Sequence, residues 1–210
     1  MKIAVFGSTG GTGREVVKQA LEQGYEVTAF VRSTPDFAQH ERLRIVKGDV
    51  VTGQGVEVAV AGQDAVVIVL GASRTTKQPV VSEGTRTIVT AMQKLGVKRL
   101  VCQAAMQGDY RGIGRPSVIS LAVGQIMNWM LKDTFADKRR QEEIVRASSL
   151  DWTIVQPPKL TNGPKTGVYQ AAEKVMLPMM PSISRADVAD FIVKQLVDKR
   201  MIGKVAALTY

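Results

Sequence analysis

The sequence predicts a doubly wound α/β fold, a parallel sheet with helices on both faces. Three observations predict it. Short β-branched runs alternate with longer amphipathic ones along the chain, the pattern of repeated βα units. Most of the short runs are apolar throughout, as strands buried on both faces of a parallel sheet must be. The first short run leads into a glycine-rich turn, Gly7-Ser8-Thr9-Gly10-Gly11-Thr12-Gly13, and then into a helix-like segment.

In chain order, KIAVF gives a strand over Lys2–Phe6, and REVVKQALEQ gives a helix over Gly13–Gln23. EVTAFV gives the strand Glu26–Val31, and LRIVK the strand Leu43–Lys47. The crossover between them, around Thr34–Arg42, has room for a helix or only a short turn. A helix over Gly55–Ala61 leads to the strand Ala65–Leu70, and one over Val80–Leu95 leads to the strand Arg99–Gln103. Helices over Val118–Leu131 and Asp137–Ala147 precede the strand Trp152–Gln156. A helix over Arg185–Val197 precedes the last strand, Lys204–Leu208. Pro157, Pro158, Gly163, Pro164, Gly167, Pro178 and Pro181 break up residues 157–181. That region reads as long loops beyond the sheet, where a substrate could be held. No repeat, linker or low-complexity tract divides the chain, so residues 1–210 are expected to form a single domain.

The 210 residues suffice for one substantial core. Hydrophobic residues make up 45% and charged residues 22%, ordinary globular values. Cys102, the only cysteine, lies in an apolar strand. It cannot form an internal disulfide, which fits a reducing compartment and a buried structural thiol. The sequence opens directly in a core strand without signal-peptide character, and no segment is long and apolar enough to span a bilayer. A cytoplasmic protein with no membrane role is expected. The net charge of +9 suits an anionic, phosphorylated ligand. The basic residues are dispersed among acidic ones, with no basic run interleaved with aromatics, so no nucleic-acid partner is expected. No metal is expected either.

The order strand, glycine turn, helix is what a dinucleotide site requires. Glycines permit positive φ and let the backbone approach a pyrophosphate closely. The helix then offers unpaired N–H groups and its positive dipole end to that anion. Ser8, Thr9 and Thr12 could add hydroxyl donors. The spacing is G-x-x-G-x-x-G, and its place between an opening strand and a helix gives it weight. Gly7, Thr9, Gly10, Gly11, Thr12 and Gly13 are therefore cofactor-binding candidates in a Rossmann-type fold. The second strand ends in Arg32-Ser33-Thr34, and no carboxylate follows until Asp36. An NAD site would usually place an acidic residue there, on the ribose 2′-OH. Arg32 could instead pair with a 2′-phosphate, with Ser33 or Thr34 donating to it, so NADP(H) is the expected cofactor.

VFGSTGGTG, AFVRS, VKGDV, AGQDAVVIVLG, VSEGTRTIVTAM and SLDWTIVQPP together resemble an atypical short-chain dehydrogenase/reductase. The nearest likeness is to the biliverdin-IXβ reductase/flavin reductase family of the NmrA-like group. It covers nearly the whole chain; the stretch from about Gln107 to Thr134 matches least. The resemblance implies that Asp49 and Val50 lie beside the adenine and that Leu70, Gly71 and Ala72 line the nicotinamide ribose. It implies that Arg74 reaches the phosphates and that Pro157 and Pro158 flank the nicotinamide. A turn residue at Asp49 and a strand stop at the proline pair are the plainer alternatives. Ala105, Tyr110 and Lys159 fall on the substrate side.

The chain also departs from the family pattern. Ala105 stands where the family has a serine, and no Tyr-x-x-x-Lys pair is present: positions 114 and 173, four residues after Tyr110 and Tyr169, are Gly and Glu. The only histidine, His40, lies on the adenine side. The catalytic group is therefore unassigned, with Lys138 a candidate; its spacing also fits a solvated ion pair with Glu142. The apolar helix over Val118–Leu131 could be core, cover the nicotinamide end or form a dimer contact. The expected activity is hydride transfer from NADPH to a planar conjugated acceptor: a flavin such as FMN, a linear tetrapyrrole such as biliverdin, or a quinone. The alternative is a non-catalytic NADP(H) sensor. Either would be a monomer or homodimer.

Overall fold

Alternation along the strands builds two cores from one sheet. In β1 (Lys2–Phe6), Ile3 and Val5 face one side while Ala4 and Phe6 face the other, and all four are fully buried. The same division runs through β2 (Glu26–Val31), β4 (Ala65–Ile68), β5 (Arg99–Gln103) and β6 (Asp151–Gln156). β3 (Leu43–Lys47) is the outer strand on this side and only partly buried. Val16, Val17 and Ala20 of α1 (Gly11–Glu22) cover the first face, joined by Val188, Ala189, Ile192 and Val193 of α5 (Arg185–Gln195). α2 (Val56–Val60), α3 (Val80–Leu95) and α4 (Lys132–Ala147) cover the second through Val56, Ala59, Ile88, Met92 and Val145. Apolar surface is thus removed from water on both faces, the dominant stabilising term of such a layer structure.

The computed structural model describes residues 1–33, 36–71, 79–106, 132–173, 175 and 181–210. Thr34, Ala72, Arg74, Tyr110 and the helix expected over residues 118–131 lie outside the described residues. The main sheet has the order β3-β2-β1-β4-β5-β6-β10-β8, with β10 at Lys204–Thr209 and β8 at Gln170–Ala172. Every pairing in it is parallel except β8 on β10. This is a Rossmann-type doubly wound fold. Among the described residues between β2 and β3 there is no helix, so the short-turn option holds there.

The expected long loops over 157–181 need correction. Three short strands occur in and just after this region: β7 (Lys159–Thr161), β8, and β9 (Ser182–Ser184). β7 pairs with β9 in a second, two-stranded sheet. Cys102 is buried as expected, and burial pushes its thiol up to about 12, far from thiolate reactivity. Among the described residues, no helix is long and apolar enough to cross a membrane.

Candidate cofactor site

The sheet order places β1 between β2 and β4, so successive crossovers diverge from β1 and leave a crevice above its carboxyl end. Ligands of open α/β sheets sit at such a switch point, and the glycine turn occupies it. Gly7 has φ +87°, and a Cβ there would stand 2.6 Å from the carbonyl oxygen of Val69 at the end of β4. Gly13 packs directly on Gly7, where any side chain would overlap the Gly7 carbonyl. The turn closes with the Gly10 N–H donating to Gly7 O at 3.0 Å, and α1 starts with Arg14 N–H donating to Gly10 O at 2.8 Å. Gly10 is the N-cap and supplies no side-chain acceptor, and the first turn of α1 contains no acidic residue. The first N–H groups of the helix and its positive end are therefore available to an external anion. Thr9, Gly10 and Gly11 are exposed there, whereas Thr12 and Gly13 are buried. Ser8 is corrected as a donor: it is fully buried, and its hydroxyl donates to Phe30 O at 2.8 Å.

At the end of β2, Arg32 and Ser33 are exposed. Among the described residues Arg32 makes no ion pair, which leaves its guanidinium available for an anion. Arg14 was not singled out in the sequence, because an arginine on a helix surface carries no signal of its own. Its Nε donates to Thr9 O at 3.2 Å and its Nη1 to Asp36 O at 3.0 Å, and it stacks over Phe37 at 5.3 Å. It thereby ties the chain beyond β2 to the glycine turn. Asp49 accepts from the N–H groups of Val51 (2.7 Å) and Thr52 (3.2 Å), the turn geometry of the plainer reading. Val50 is buried against Gly84 of α3. His40 is also a turn residue, its Nδ1 accepting from Arg42 N–H at 3.1 Å.

The other side of the crevice is formed by the ends of β4, β5 and β6. Leu70 is half-buried and Gly71 exposed after β4. The Met106 N–H donates to Pro157 O at 3.4 Å, which brings the segment containing Ala105 beside the buried Pro157–Pro158 pair. Lys159 is exposed at the start of β7.

Lys138 lies among these ends, not in solvent. Only 8% exposed, its Nζ donates to Leu70 O (2.8 Å), Gln103 O (3.2 Å) and Gln141 Oε1 (3.2 Å). An ammonium has three N–H groups, and all three are engaged. The solvated Lys138–Glu142 pair expected from the spacing is thus corrected. Glu142 instead accepts from Gln156 Nε2 at 2.7 Å and lies 3.7 Å from Arg146. Burial lowers the Lys138 ammonium from its ordinary range; the nearby Cys102, Asp137 and Glu142 oppose this without cancelling it. Burial likewise raises Glu142, against the Gln156 hydrogen bond and the Arg146 charge. Asp137, adjacent to Lys138, accepts from the N–H groups of Val81 and Ser82 at 3.0 Å each, capping α3 from another helix.

Two carboxylates of α5 hold the chain beyond β7. Asp187, fully buried, accepts from Thr166 N–H (2.9 Å), Gly167 N–H (2.8 Å) and the hydroxyls of Thr166 (2.9 Å), Ser184 (3.1 Å) and Tyr210 (2.7 Å). Asp190 takes Lys165 (2.7 Å), Lys194 (2.6 Å) and the Tyr169 hydroxyl (2.6 Å). Burial opposes charge on both, yet the hydrogen bonds outweigh it and hold both carboxyls below their ordinary range.

A family model described as NAD(P)H-binding matches residues 7–199. An uncharacterized chloroplastic protein of Arabidopsis thaliana is 30% identical over 99% of this chain and 76% of its own. Among solved structures, the oxidoreductase ylbE of Lactococcus lactis is 26% identical with a TM-score of 0.80, covering 100% of this chain and 90% of that one. ChuY, an anaerobilin reductase of Escherichia coli O157:H7, is 19% identical with a TM-score of 0.78 and coverage of 100% and 97%. A short-chain dehydrogenase/reductase of Veillonella parvula in complex with NADP is 17% identical with a TM-score of 0.76 and coverage of 100% and 94%. At their identities, the last two share the fold alone with this chain.

Proposed function

The chain belongs to the NAD(P)H-binding family, and from that premise we propose that it is an atypical short-chain dehydrogenase/reductase acting as an NADPH-dependent reductase of planar conjugated acceptors. A flavin such as FMN, a linear tetrapyrrole such as biliverdin, or a quinone has the required chemistry. The cofactor fits the residues present: Gly7 and Gly13 let the turn and α1 pack tightly against Val69 and Gly7, and the exposed start of α1 at Gly10 and Gly11 offers unpaired donors. Arg32 and Ser33 would hold the 2′-phosphate, with Arg74 on the phosphates. Asp49 and Val50 would border the adenine. Leu70, Gly71, Ala72, Pro157 and Pro158 would enclose the nicotinamide. When bound, the nicotinamide supplies the hydride.

The observation that carries the acceptor class is the saturated ammonium of Lys138 at the ends of β4 and β5. Reducing a simple carbonyl requires a positioned acid for the forming alkoxide. Lys138 has its three N–H groups engaged, and Ala105 offers no hydroxyl. A conjugated acceptor spreads the incoming charge, so water can supply its proton and positioning can do much of the catalysis. Lys138 is then a positioning residue that braces two strand ends, and Ala105, Tyr110 and Lys159 lie on the acceptor side.

NADPH oxidation assayed with FMN, biliverdin, a quinone and a small aldehyde tests this. The first three are expected to turn over, with the aldehyde at least about a hundredfold slower, the typical contribution of a general acid. Preference for the aldehyde would overturn the acceptor class. Tight NADPH binding without turnover of any acceptor would establish the sensor instead.

Cofactor choice gives a separate expectation. A hydrogen bond to a charged group contributes about 1.5–3 kcal/mol, or about 10–150-fold in affinity. Arg32→Ala should weaken NADPH by that factor while NADH changes little, as read by titration calorimetry. Equal losses for both nucleotides would remove the 2′-phosphate role.

A further inference from the structure

Gly11 and Arg185 are far apart in sequence and packed together in the fold. A Cβ at Gly11 would stand 2.6 Å from Cδ and 2.8 Å from Nε of Arg185. The arginine stem therefore fills the space that a side chain at position 11 would take. Gly11 is the first residue of α1, and Arg185 is the first residue of α5. A permanent cation thus lies where two helices present their positive ends, an arrangement that is unfavourable in isolation. Among the described residues Arg185 makes no ion pair. The first turn of α1 has no acidic residue. Asp187, in the first turn of α5, offsets the positive end of that helix, but its hydrogen bonds go to Thr166, Gly167, Ser184 and Tyr210 and none to Arg185. Arg185 itself has a neutral partner, Asn162 Oδ1, which accepts from Nη1 at 2.6 Å. A guanidinium has five N–H donors in a planar fork, so most remain free, and Arg185 is only half-buried.

We propose that Arg185 is a clamp on the pyrophosphate of the bound dinucleotide, and that position 11 is glycine because the arginine passes over it. The inference rests on the reading of the glycine turn as the cofactor cradle. The anion completes the site: it takes the free N–H groups of α1 from one side and the planar fork of Arg185 from the other. Asn162 aims the guanidinium. Arg185 thereby serves NADPH and NADH alike, unlike Arg32, because both nucleotides share the pyrophosphate.

Titration calorimetry on the full chain separates the roles. Arg185→Ala is expected to weaken NADPH and NADH by the same factor, about 10–100-fold for a charge-assisted contact. Adenosine 2′-monophosphate, which lacks the pyrophosphate, should bind as before. Arg185→Lys keeps the charge and should recover part of the loss. Gly11→Ala drives a methyl into the arginine stem and should weaken both nucleotides in the parent chain, but have little further effect beside Arg185→Ala, a non-additivity expected only for residues that act together. Unchanged nucleotide affinity in Arg185→Ala would overturn the clamp. So would a loss confined to NADPH, an equal loss of adenosine 2′-monophosphate, or a raised acceptor KM alone. Gly10→Val serves as the control for the cradle. If it retains tight binding, the cradle reading fails; if it loses binding while Arg185→Ala does not, only the clamp fails.

Discussion

Gly10→Val is expected to abolish NADPH binding, by more than about a hundredfold (~2.7 kcal/mol), while the α/β circular dichroism persists. Gly10 has φ −71° and ψ 163°, extended backbone that any residue adopts, so the fold should survive. Its Cβ would already stand 3.3 Å from Gly7 O. A branched side chain must turn its methyl groups either into that carbonyl or out over the start of α1, where the pyrophosphate would lie. Gly10→Ala, with no branch, should lose far less. Binding within about threefold of the parent would show that the cofactor does not approach this turn.

The second large effect concerns stability. Asp187→Ala removes the common acceptor for Thr166, Gly167, Ser184 and Tyr210. Breaking a buried, charge-assisted network of this kind is expected to cost about 3–5 kcal/mol in denaturant unfolding. Asp187→Asn, which keeps the shape but places an NH2 among donors, should fall between. The network also has a pH signature. The folded-state carboxyls of Asp187 and Asp190 lie below their ordinary range. Their contribution is therefore fully present at neutral pH, above the unfolded-state value, and is lost as pH falls through the folded-state value. In Asp187→Ala the acid limb of the stability curve should be shallower. An unaltered limb and a loss below about 1 kcal/mol would mean that the network does not hold the 162–168 segment.

The parts of the fold read correctly from the sequence are those governed by local rules. Lys2–Phe6, Glu26–Val31 and Arg99–Gln103 occur as expected because runs with an apolar, β-branched core have few other solutions in a parallel sheet, and Leu43–Lys47 occurs as the partly exposed outer strand. The ends of α1 and α5 differ from expectation by one or two residues, the usual fraying of helix termini. β7, β8 and β9 escaped notice because each is three residues long in a stretch punctuated by proline and glycine, and each is fixed by a distant partner.

The site divides in the same way. The glycine turn and the Arg32 strand end carry their meaning locally. Lys138 does not: four-residue spacing to Glu142 suggests a surface pair, but α4 turns Lys138 onto the strand ends. Asp137 caps a helix through Val81, 56 residues earlier, and Arg185 covers a glycine near the opposite end of the chain. Such contacts depend on how the layers stack, which spacing along one segment does not encode.

The central claim is hydride delivery without Lys138 as the acid. Its most direct test is the single-turnover rate of NADPH oxidation by FMN as a function of pH, followed by nicotinamide absorbance. Burial lowers the Lys138 ammonium, so if Lys138 were the acid, the rate would fall as pH rises through that lowered value and the proton is lost. The account predicts a rate that varies by less than about threefold between about pH 6 and about pH 9, since water supplies the proton. A rate that drops about tenfold per pH unit across part of that range, with the drop moved by Lys138→Arg, would contradict it and make Lys138 the catalytic acid.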